Sequence, residues 1–313
     1  MPRRPQSDLD PGQSAQRSRE SRRSLTRLFI LGVVVALIGA ASFVAASRGS
    51  RQAAENARGT AHAKVHATHR THHAAHGGSV PVPILMYHHV APKLGGSPLL
   101  WVSCAQFASE LAYLRHHAYH TVTLQQVYEC WTKGSPLPAR PIVLSFDDGY
   151  GDQYRYAAPL LRRYRDVAVL NLIVHNLGRA PLTTAMVSRM ASWGWEIDSH
   201  TITHRDLALL PAGEVRRELL GSRNLLRRYF HLPVNFFCYP GGAYDPAMVA
   251  AVRRAGYLAA TSVRYGLARP GELFTLPRIV VFGGESLALY GQSLSGSARA
   301  GKAIVRTVDG AGL

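Results

Sequence analysis

Two adjacent carboxylates stand where an apolar segment ends. Asp147 and Asp148 directly follow residues 141–146, which carry no charge. Neighbouring carboxylates repel each other unless a cation offsets their charge or one of them stays protonated. A metal ion would resolve the conflict, because one carboxylate could ligate it while the other served as a general base. Asp-Asp-Gly is also a good turn sequence, so the pair alone leaves both interpretations open.

Two histidines add to the case for a metal. His200 and His204 follow another apolar segment at the spacing His-x-x-x-His. Two imidazoles at this spacing can bind one ion, and a carboxylate ligand completes a common open zinc site. Such a site keeps a position for water, whose pKa falls towards neutrality. A pair of histidines alone is more often surface decoration, but here both pairs follow strand-like segments. The sequence therefore predicts a divalent metal site, with Zn²⁺ as the expected ion.

Two further polar groups also follow apolar segments. His88 and His89 come after residues 82–87, and an imidazole suits a general acid near neutral pH, although packing or solvent roles are equally open. The other group is Cys238-Tyr239-Pro240-Gly241-Gly242. Its glycines permit a close backbone approach, which suits amides directed at an oxyanion, and a plain turn is at least as consistent.

The elements that must position these groups alternate between strand-like and helix-like patterns. Phe107, Leu111 and Leu114 repeat with helical spacing, residues 211–230 have an apolar face, and Pro246 follows an Asp245 cap. The apolar strand candidates are 82–87, 119–124, 141–146, 167–174, 195–198, 234–239, 257–262 and 275–281. This alternation predicts an α/β fold with a parallel sheet or a barrel, in which functional side chains collect at the carboxyl ends of strands.

Charge is concentrated at the N-terminus. The 313 residues hold 36 Lys+Arg and 19 Asp+Glu, a formal charge of +17, and 47% of them are hydrophobic, which excludes a wholly disordered protein. Residues 1–70 carry 12 Lys+Arg and four Asp+Glu, a net +8, which leaves +9 on the other 243. No nucleic-acid motif accompanies the charge, so we expect no nucleic-acid partner.

The N-terminal segment predicts a membrane anchor. Residues 1–27 are basic, and residues 28–47 follow without a single charge, a length that matches the hydrocarbon core of a bilayer. The arginines would keep the N-terminus in the cytoplasm and send the remaining chain outward, as a single-pass protein of the cell membrane. The alternative is a secreted protein released by signal cleavage after Val44-Ala45-Ala46. Both alternatives export the body of the chain.

A linker, a domain and a tail are expected after the anchor. Residues 48–79 show no apolar periodicity and hold six histidines within 15 residues, which predicts a flexible spacer that either binds metal loosely or is simply solvated. Residues 80–294 form the expected domain, and residues 295–313 form a tail. The three cysteines exclude a disulfide framework, and we interpret Cys104 and Cys130 as buried small residues.

Taken together, the motifs resemble the polysaccharide deacetylases of carbohydrate esterase family 4, which share the NodB homology domain. SFDDG at 145–149 looks like the first motif of that family, SHTITH at 199–204 like the second, and FFCYPGGAYD at 236–245 like the third. The match covers roughly residues 81–281. The resemblance implies a distorted barrel of the (β/α)7 type that holds a divalent metal, usually zinc, and acts on an N-acetylated polysaccharide.

The resemblance also implies residue roles. Asp148, His200 and His204 would hold the metal, and Asp147 would be the general base that activates water. A backbone N–H of the third motif would stabilise the oxyanion; we assign it to Gly241, with Tyr239 and Pro240 beside it in the substrate site.

The sequence departs from the common family pattern in three places. Cys238 stands where the third motif usually has an arginine, the Asp-Trp motif is not visible, and no histidine follows His231 to supply the late acid. These absences match the subgroup of biofilm poly-β-1,6-N-acetylglucosamine deacetylases, in which a Met-Tyr-His strand supplies the acid. LMYHHV at 85–90 looks like that strand and favours His88 as the acid. LPRIVV at 276–281 resembles a late strand of the subgroup, which would let Arg278 replace the missing arginine.

The motifs and the charge point to three candidate functions. The first is metal-dependent deacetylation of an exported N-acetylglucosamine polymer, with peptidoglycan or another cell-surface glycan as the alternative substrate. The second is a catalytically silent glycan-binding relative, and retention of all four motif residues argues against it. The third, nucleic-acid binding, lacks a motif and an exported partner. The sequence leaves the polymer and the oligomeric state open.

Overall fold

The computed structural model describes residues 78–93, 95–97, 100–178 and 182–296. The predicted basic N-terminus, anchor, most of the linker and most of the tail lie outside these residues. Within them, no helix combines the length and the hydropathy that a membrane crossing requires.

Parallel strands build the sheet of the domain. The strands are β1 (Ile84–Tyr87), β2 (His89–Ala91), β3 (Trp101–Ser103), β4 (His120–Thr121), β5 (Pro141–Phe146), β6 (Val169–Leu172), β7 (Glu196–Ser199), β8 (Phe236–Cys238), β9 (Ala259–Tyr265) and β10 (Leu276–Val280). Seven of them pair in the order β1-β10-β9-β8-β7-β6-β5, and β5 pairs back with β1. The register Leu85↔Leu144 and Leu85↔Ile279 closes the ring on both sides of β1. The result is the seven-stranded parallel barrel that the resemblance implied.

Helices connect the strands. They are α1 (Cys104–His116), α2 (Leu124–Lys133), α3 (Ala158–Tyr164), α4 (Thr184–Ser192), α5 (Ala212–Arg216), α6 (Ser222–Phe230), α7 (Pro246–Arg254) and α8 (Leu287–Ser293). A π-helical turn, Gln153–Ala157, precedes α3, and another, Arg217–Gly221, joins α5 to α6. Pro246 begins α7 behind Asp245, whose side chain accepts from the Met248 N–H as predicted. The helix ends at Arg254, two residues before Gly256.

Alternation along the strands divides the core into two layers. Side chains that point outward, such as Leu144, Leu170 and Phe237, pack under the helices. Side chains that point inward at the amino ends of the strands, such as Ile84 and Val143, fill the barrel interior together with residues of α2. Polar inward-facing residues come next along the same strands, so the apolar packing supports a polar layer near the carboxyl ends.

Two features of the fold differ from the sequence prediction. β2 and β3 form a separate two-stranded parallel sheet, with His89 opposite Trp101. Strands of three residues carry too few side chains to show alternation, which explains why the sequence did not reveal this sheet. The strand predicted over 119–124 is present as β4, but it is reduced to two residues that pair with the start of β5.

Candidate active site

The predicted site residues meet at the carboxyl ends of the barrel strands, which we call the mouth. The Asp147 N–H donates to the Tyr87 carbonyl at 2.9 Å, and this contact joins the ends of β5 and β1. The His200 N–H donates to the Leu172 carbonyl at 2.9 Å, linking the ends of β7 and β6. Main-chain hydrogen bonds of the barrel therefore set the positions from which Asp147 and His200 enter the mouth.

Asp147 is 1% exposed and fully engaged by its neighbours. Its Oδ1 accepts from Arg278 Nη1 at 2.8 Å and from Asn171 Nδ2 at 2.7 Å. Its Oδ2 lies 2.8 Å from Arg278 Nη2, so the guanidinium grips both oxygens. The Cys238 thiol lies 3.6 Å from Oδ2. Such a bidentate pair orients the carboxylate as well as neutralising it.

The charge state of Asp147 follows from this pairing. Burial alone would raise the pKa of the carboxyl, but Arg278, followed by His200, reverses the shift and holds the pKa well below its usual range. Burial raises the pKa of the Cys238 thiol, so the thiol stays protonated and can donate to Asp147. Asp147 therefore remains an ionised acceptor throughout the neutral pH range.

Asp148, His200 and His204 converge on one point. Asp148 Oδ1 lies 3.5 Å from His200 Nε2 and 3.8 Å from His204 Nε2, and the two Nε2 atoms are 3.1 Å apart. Ligands about 2 Å from one tetrahedral ion stand roughly 3.3 Å from each other. Asp148 Oδ1 is buried and accepts no hydrogen bond from the described residues. An orphaned carboxylate oxygen facing two imidazole nitrogens fits a divalent metal ion.

A second donor set is less suited to a metal. Asp147, His200 and Cys238 also have ligand atoms within 4.8 Å of one another. However, Asp147 is committed to Arg278 and Asn171, and burial keeps the Cys238 thiol protonated. Thiols bind metals as thiolates, so this set would first have to lose a proton from a buried group. The orphaned oxygen favours the Asp148 set.

The surroundings of the histidines fix their orientation. His200 Nδ1 donates to the Cys238 carbonyl at 2.8 Å, which leaves Nε2 free as a ligand atom. Asp148, Thr201 and His204 have positive φ angles of 73°, 68° and 61°, a region that residues other than glycine seldom adopt. The sharp turns at these positions aim all three ligand side chains into the mouth.

Glu218 supports the turn that carries the histidines. It is 1% exposed, and its Oε2 accepts from the Ile202 and Thr203 N–H groups at 2.8 and 3.0 Å. Its Oε1 accepts from the Thr203 hydroxyl at 2.8 Å. One buried carboxylate thus holds the segment between the two histidine ligands.

The structure separates the two adjacent histidines. His88 Nε2 lies 4.0 Å from Asp147 Oδ2, and burial is the main cause that lowers the pKa of its imidazole. His89 points elsewhere: its ring is stacked between Trp101 and Tyr150, with centroids 3.8 and 3.6 Å away, and its Nδ1 pairs with Asp152. Of the two, only His88 stands beside the proposed base.

The side chain of Gln153 links the main chains of His88 and Asp147. Its amide Nε2 donates to the His88 carbonyl at 2.8 Å and to the Asp147 carbonyl at 2.6 Å. The side chain is fully buried. One amide therefore fixes the main chain of both residues.

The third motif forms a tight turn at the rim. The Tyr239 N–H donates to the Thr261 carbonyl at 3.1 Å, so it is committed to the sheet, and Tyr239 and Pro240 are buried. Gly242 requires glycine, because a Cβ there would lie 2.4 Å from a Val263 methyl at a φ of 72°. Gly241 is exposed, with no atom within 4 Å of where its Cβ would be. That open space leaves Gly241 as the position where a substrate could approach the main chain.

Three residues of the site were missed in the sequence. Asn171 is a single polar residue in an apolar strand, whereas Gln153 and Glu218 stand in polar surroundings, beside Asp152 and after Arg217. Asn171 in VLNL was the most visible of them, since a lone amide in a buried strand needs a partner. The other candidates directly follow apolar strand segments, and none of these three residues does.

The chain is similar to proteins of known family. A family model described as polysaccharide deacetylase matches residues 134–260. The chain is 30% identical over 212 residues to YxkH of Bacillus subtilis, a protein named as a polysaccharide deacetylase, and the match covers 67% of this chain and 75% of YxkH. The chain belongs to the polysaccharide deacetylase family. It is accordingly an amide hydrolase of carbohydrate esterase family 4.

The chain is also similar to a second curated deacetylase and to a deacetylase of known structure. Poly-beta-1,6-N-acetyl-D-glucosamine N-deacetylase of Escherichia coli is 23% identical over 263 residues, and the match spans 70% of this chain but only 39% of that protein. The crystal structure of BC0361, a polysaccharide deacetylase from Bacillus cereus, superposes with a TM-score of 0.63 at 26% identity, covering 69% of this chain and 70% of that one. The E. coli relative thus contains a large part that this match does not reach.

Proposed function

We propose that this deacetylase removes N-acetyl groups from an N-acetylglucosamine polymer outside the cytoplasm, and that it does so with a divalent metal. The observation that carries the proposal is the convergence of Asp148, His200 and His204 beside the ionised carboxylate of Asp147. The full reaction is hydrolysis: water adds to the acetamide carbonyl, the C–N bond breaks, and acetate and a free amine leave.

Asp148, His200 and His204 would hold the ion, with Zn²⁺ as the expected one. Three protein ligands of this type leave a position open, as catalytic zinc sites do. When bound, such an ion acts as a Lewis acid towards the carbonyl and lowers the pKa of water. The orphaned Asp148 oxygen and the Nδ1 contact of His200 are what make these residues fit it.

Asp147 would accept a proton from the attacking water at Oδ2, the oxygen that faces His88. Arg278 contacts both oxygens and Asn171 contacts Oδ1, so the orientation of the carboxylate is set before the substrate arrives. Preorganised partners of this kind avoid the cost of reorientation during the reaction. Arg278 would act as a positioning residue, taking the place of the arginine that Cys238 has replaced.

His88 would donate a proton to the leaving nitrogen. Its Nε2 stands 4.0 Å from Asp147 Oδ2, so acid and base lie on adjacent sides of one cavity. The Gly241 N–H at the rim is proposed as the donor to the oxyanion. These assignments give each step of the hydrolysis a group with a proton to take or give.

The substrate and the location rest on different arguments. Relatives named poly-beta-1,6-N-acetyl-D-glucosamine N-deacetylase favour a polymer of that sugar, and peptidoglycan is the alternative substrate. Export is supported by the uncharged segment 28–47 behind an arginine-rich N-terminus. The complete constellation argues against a silent binding protein, because such a relative would be expected to have lost a ligand.

Acetate release by the full chain tests the function. We expect release from poly-β-1,6-N-acetylglucosamine or peptidoglycan that stops with chelator and returns with Zn²⁺. Asp147→Asn should lower the rate about 10²- to 10⁴-fold while the bound metal stays constant, because a base but no ligand is removed. Asp166→Asn, which changes a carboxylate that accepts from Thr121 far from the mouth, is the matched control and should retain activity. Release that survives complete removal of metal would refute the metal-dependent reaction, and no release from any acetylated glycan would favour the binding protein.

A further inference from the structure

The end of the barrel opposite the mouth carries an unusual concentration of arginines. Helices of a parallel barrel run against the strands, so their C-termini gather at this end, which we call the base. Arg115 lies in the last turn of helix α1. Arg162 and Arg163 lie in the last turn of α3, and Arg165 follows that helix. Arg140 precedes β5 at the same end. We name Arg115, Arg140, Arg162, Arg163 and Arg165 the basal arginine face; all five are exposed.

Aromatic rings tie this face together. The Arg115 guanidinium carbon lies 3.7 Å from the centre of the Tyr164 ring, and that of Arg163 lies 5.6 Å from the same ring. Arg140 stacks on Tyr119, just after α1, at 4.2 Å. Contacts of this kind hold the guanidinium planes on the surface and leave their edges free to donate hydrogen bonds.

The basal arginine face forms no ion pair within the described residues, although Arg115 is near enough to Asp166 to act against the burial that raises the pKa of that carboxyl. Within the described part of the chain, none of its five arginines has a carboxylate oxygen within 4.0 Å, whereas Arg264 nearer the mouth is paired with Glu272. The neighbouring Asp166 is partly buried and accepts from Thr121 Oγ1. A helix macrodipole explains one cation at each helix end, but it does not explain five neighbouring cations that form no ion pair among the residues that the structure describes.

Other helices extend the same charge around the base. The last turn of helix α6 carries the exposed pair Arg227 and Arg228, and that of α7 carries the exposed pair Arg253 and Arg254. Positive charge therefore surrounds much of this end of the barrel, at the C-termini of several helices.

The chain also enters the domain at the base. Trp131 of α2, which closes the amino end of the barrel, donates from Nε1 to the Val80 carbonyl at 2.9 Å. Val82, just before β1, pairs with Ala268. The first described residues of the chain, 78–82, therefore lie on the basic side of the domain and not at the mouth.

We propose that the basal arginine face docks this domain on the anionic phospholipid surface of the membrane, with the mouth turned away from the lipid. Unpaired guanidinium groups recognise phosphate through paired hydrogen bonds, and anionic lipids present phosphate at high density. The reaction itself uses none of these residues, so the inference goes beyond the proposed function. Docking in this orientation would present the mouth to polymer arriving from outside.

Fluorescence quenching by labelled lipid tests the orientation with the full chain. In a Cys104→Ser background, one probe is placed at the base by Ser192→Cys, at the end of α4, and another at the mouth side by Leu209→Cys, which is 80% exposed. The chain is mixed with vesicles of phosphatidylcholine alone or with one-third phosphatidylglycerol, each containing a lipid quencher. We expect strong quenching of the base probe only, and only with phosphatidylglycerol, and its loss in about 1 M NaCl, where the Debye length is about 3 Å.

Matched arginine pairs locate the contact. Arg162→Gln with Arg163→Gln should weaken docking roughly thirtyfold, since an arginine at an anionic surface contributes about fivefold in the docking equilibrium. Arg216→Gln with Arg217→Gln, another adjacent exposed pair but at the mouth half, should leave quenching unchanged. The basal pair should keep full acetate release from a short soluble oligosaccharide, which shows that the variant is folded.

Several outcomes would overturn the proposal. Equal quenching of both probes, quenching that does not depend on phosphatidylglycerol, or an equal effect of the two arginine pairs would each exclude a basal lipid contact. A soluble poly(glycerol phosphate) arm identifies the competing partner: a salt-sensitive change of the base probe with this polymer but not with phosphatidylglycerol vesicles would assign the face to an anionic wall polymer instead.

Discussion

Asp147 illustrates how neighbours from three other strands define one side chain. Arg278 comes from β10, Asn171 from β6 and Cys238 from β8, and all three contact the carboxylate at the end of β5. Cys238 stands where relatives of the common pattern have arginine, yet the positive charge reaches the same carboxylate from a strand 40 residues later. A positive charge thus stands beside the proposed base, supplied by a residue of β10.

His88 offers a clear prediction at the level of one residue. His88→Ala should lower turnover about 10²- to 10⁴-fold, because it removes the proposed proton donor 4.0 Å from Asp147 Oδ2. Metal content, measured by mass spectrometry, should stay constant. His89→Ala is the matched control and should affect turnover far less, since that ring packs between Trp101 and Tyr150. Loss of metal in His88→Ala would make His88 a ligand and move the acid elsewhere.

The sequence pointed to the candidate site residues better than to the residues that support them. Asp147, Asp148, His200 and His204 could be selected because strand ends attract functional groups and their spacing matches a metal site. Gln153 and Glu218 could not be selected in this way. Their partners are main-chain groups, which no side-chain pattern in the sequence marks. A single sequence does not show which carbonyl or N–H a buried amide or carboxylate will meet.

The π-helical turns are the elements that bring these supporting residues to the site. Gln153 begins the turn Gln153–Ala157, and Glu218 lies in the turn Arg217–Gly221. A π-turn inserts one extra residue into a helix, which shifts the following side chains around its axis. Apolar periodicity predicted the helix over 211–230 correctly, and Val215, Leu219, Leu226 and Phe230 are buried, but a local insertion of this kind leaves no signal in that pattern.

Helix α1 carries a buried carboxylate that predicts a pH effect on stability. Glu110 is 1% exposed, accepts from Tyr87 Oη and Gln106 Nε2, and burial raises its pKa from 4.5 to about 7. Between these pH values the folded state binds the proton more tightly than the unfolded state, so the free energy of unfolding falls as the pH rises. We expect urea unfolding to show this loss between pH 5 and pH 8.

Glu110→Gln should flatten that slope and raise the free energy of unfolding at pH 8 by on the order of 1–3 kcal/mol. Part of the slope should remain, because burial also raises the pKa of Glu285 to about 8 and that of Asp198 to about 7. The matched control is Glu129→Gln on α2, whose carboxylate is exposed to solvent and paired with Lys133. A Glu110→Gln slope equal to that of the unaltered chain would show that Glu110 does not titrate in this range.

At the scale of the whole molecule, metal binding and folding should be coupled. An ion that binds only the folded state stabilises it by about 2.7 kcal/mol at a hundredfold excess over Kd. For a domain of this size that corresponds to a rise in Tm of about 5–10 °C. Thermal unfolding of the chelated full chain, followed by addition of Zn²⁺, measures the shift. Asp148→Asn should abolish it and Asp147→Asn should retain it; an unchanged shift in Asp148→Asn would place the metal elsewhere.

The formal charge of +17 also has meaning only for the molecule as a whole. About half of it lies in residues 1–70, where the sequence predicts an anchor, and the rest includes arginines that the topology gathers at the base. Composition gave the excess charge but not its location, because helix C-termini far apart in sequence become neighbours only when the barrel closes.

The positive φ angles of Asp148, Thr201 and His204 have a last consequence. Conformations of this kind cost about 1–3 kcal/mol each and persist only where the surrounding structure enforces them. Here the barrel ends and Glu218 enforce them, so the proposed ligand cage would be rigid before an ion binds. A rigid cage can exchange one ion for another without local unfolding, and it discriminates among ions by how well their preferred bond lengths match a fixed spacing. The metal that the protein carries would then reflect supply as much as affinity, and the same fold could operate with whichever fitting ion its surroundings provide.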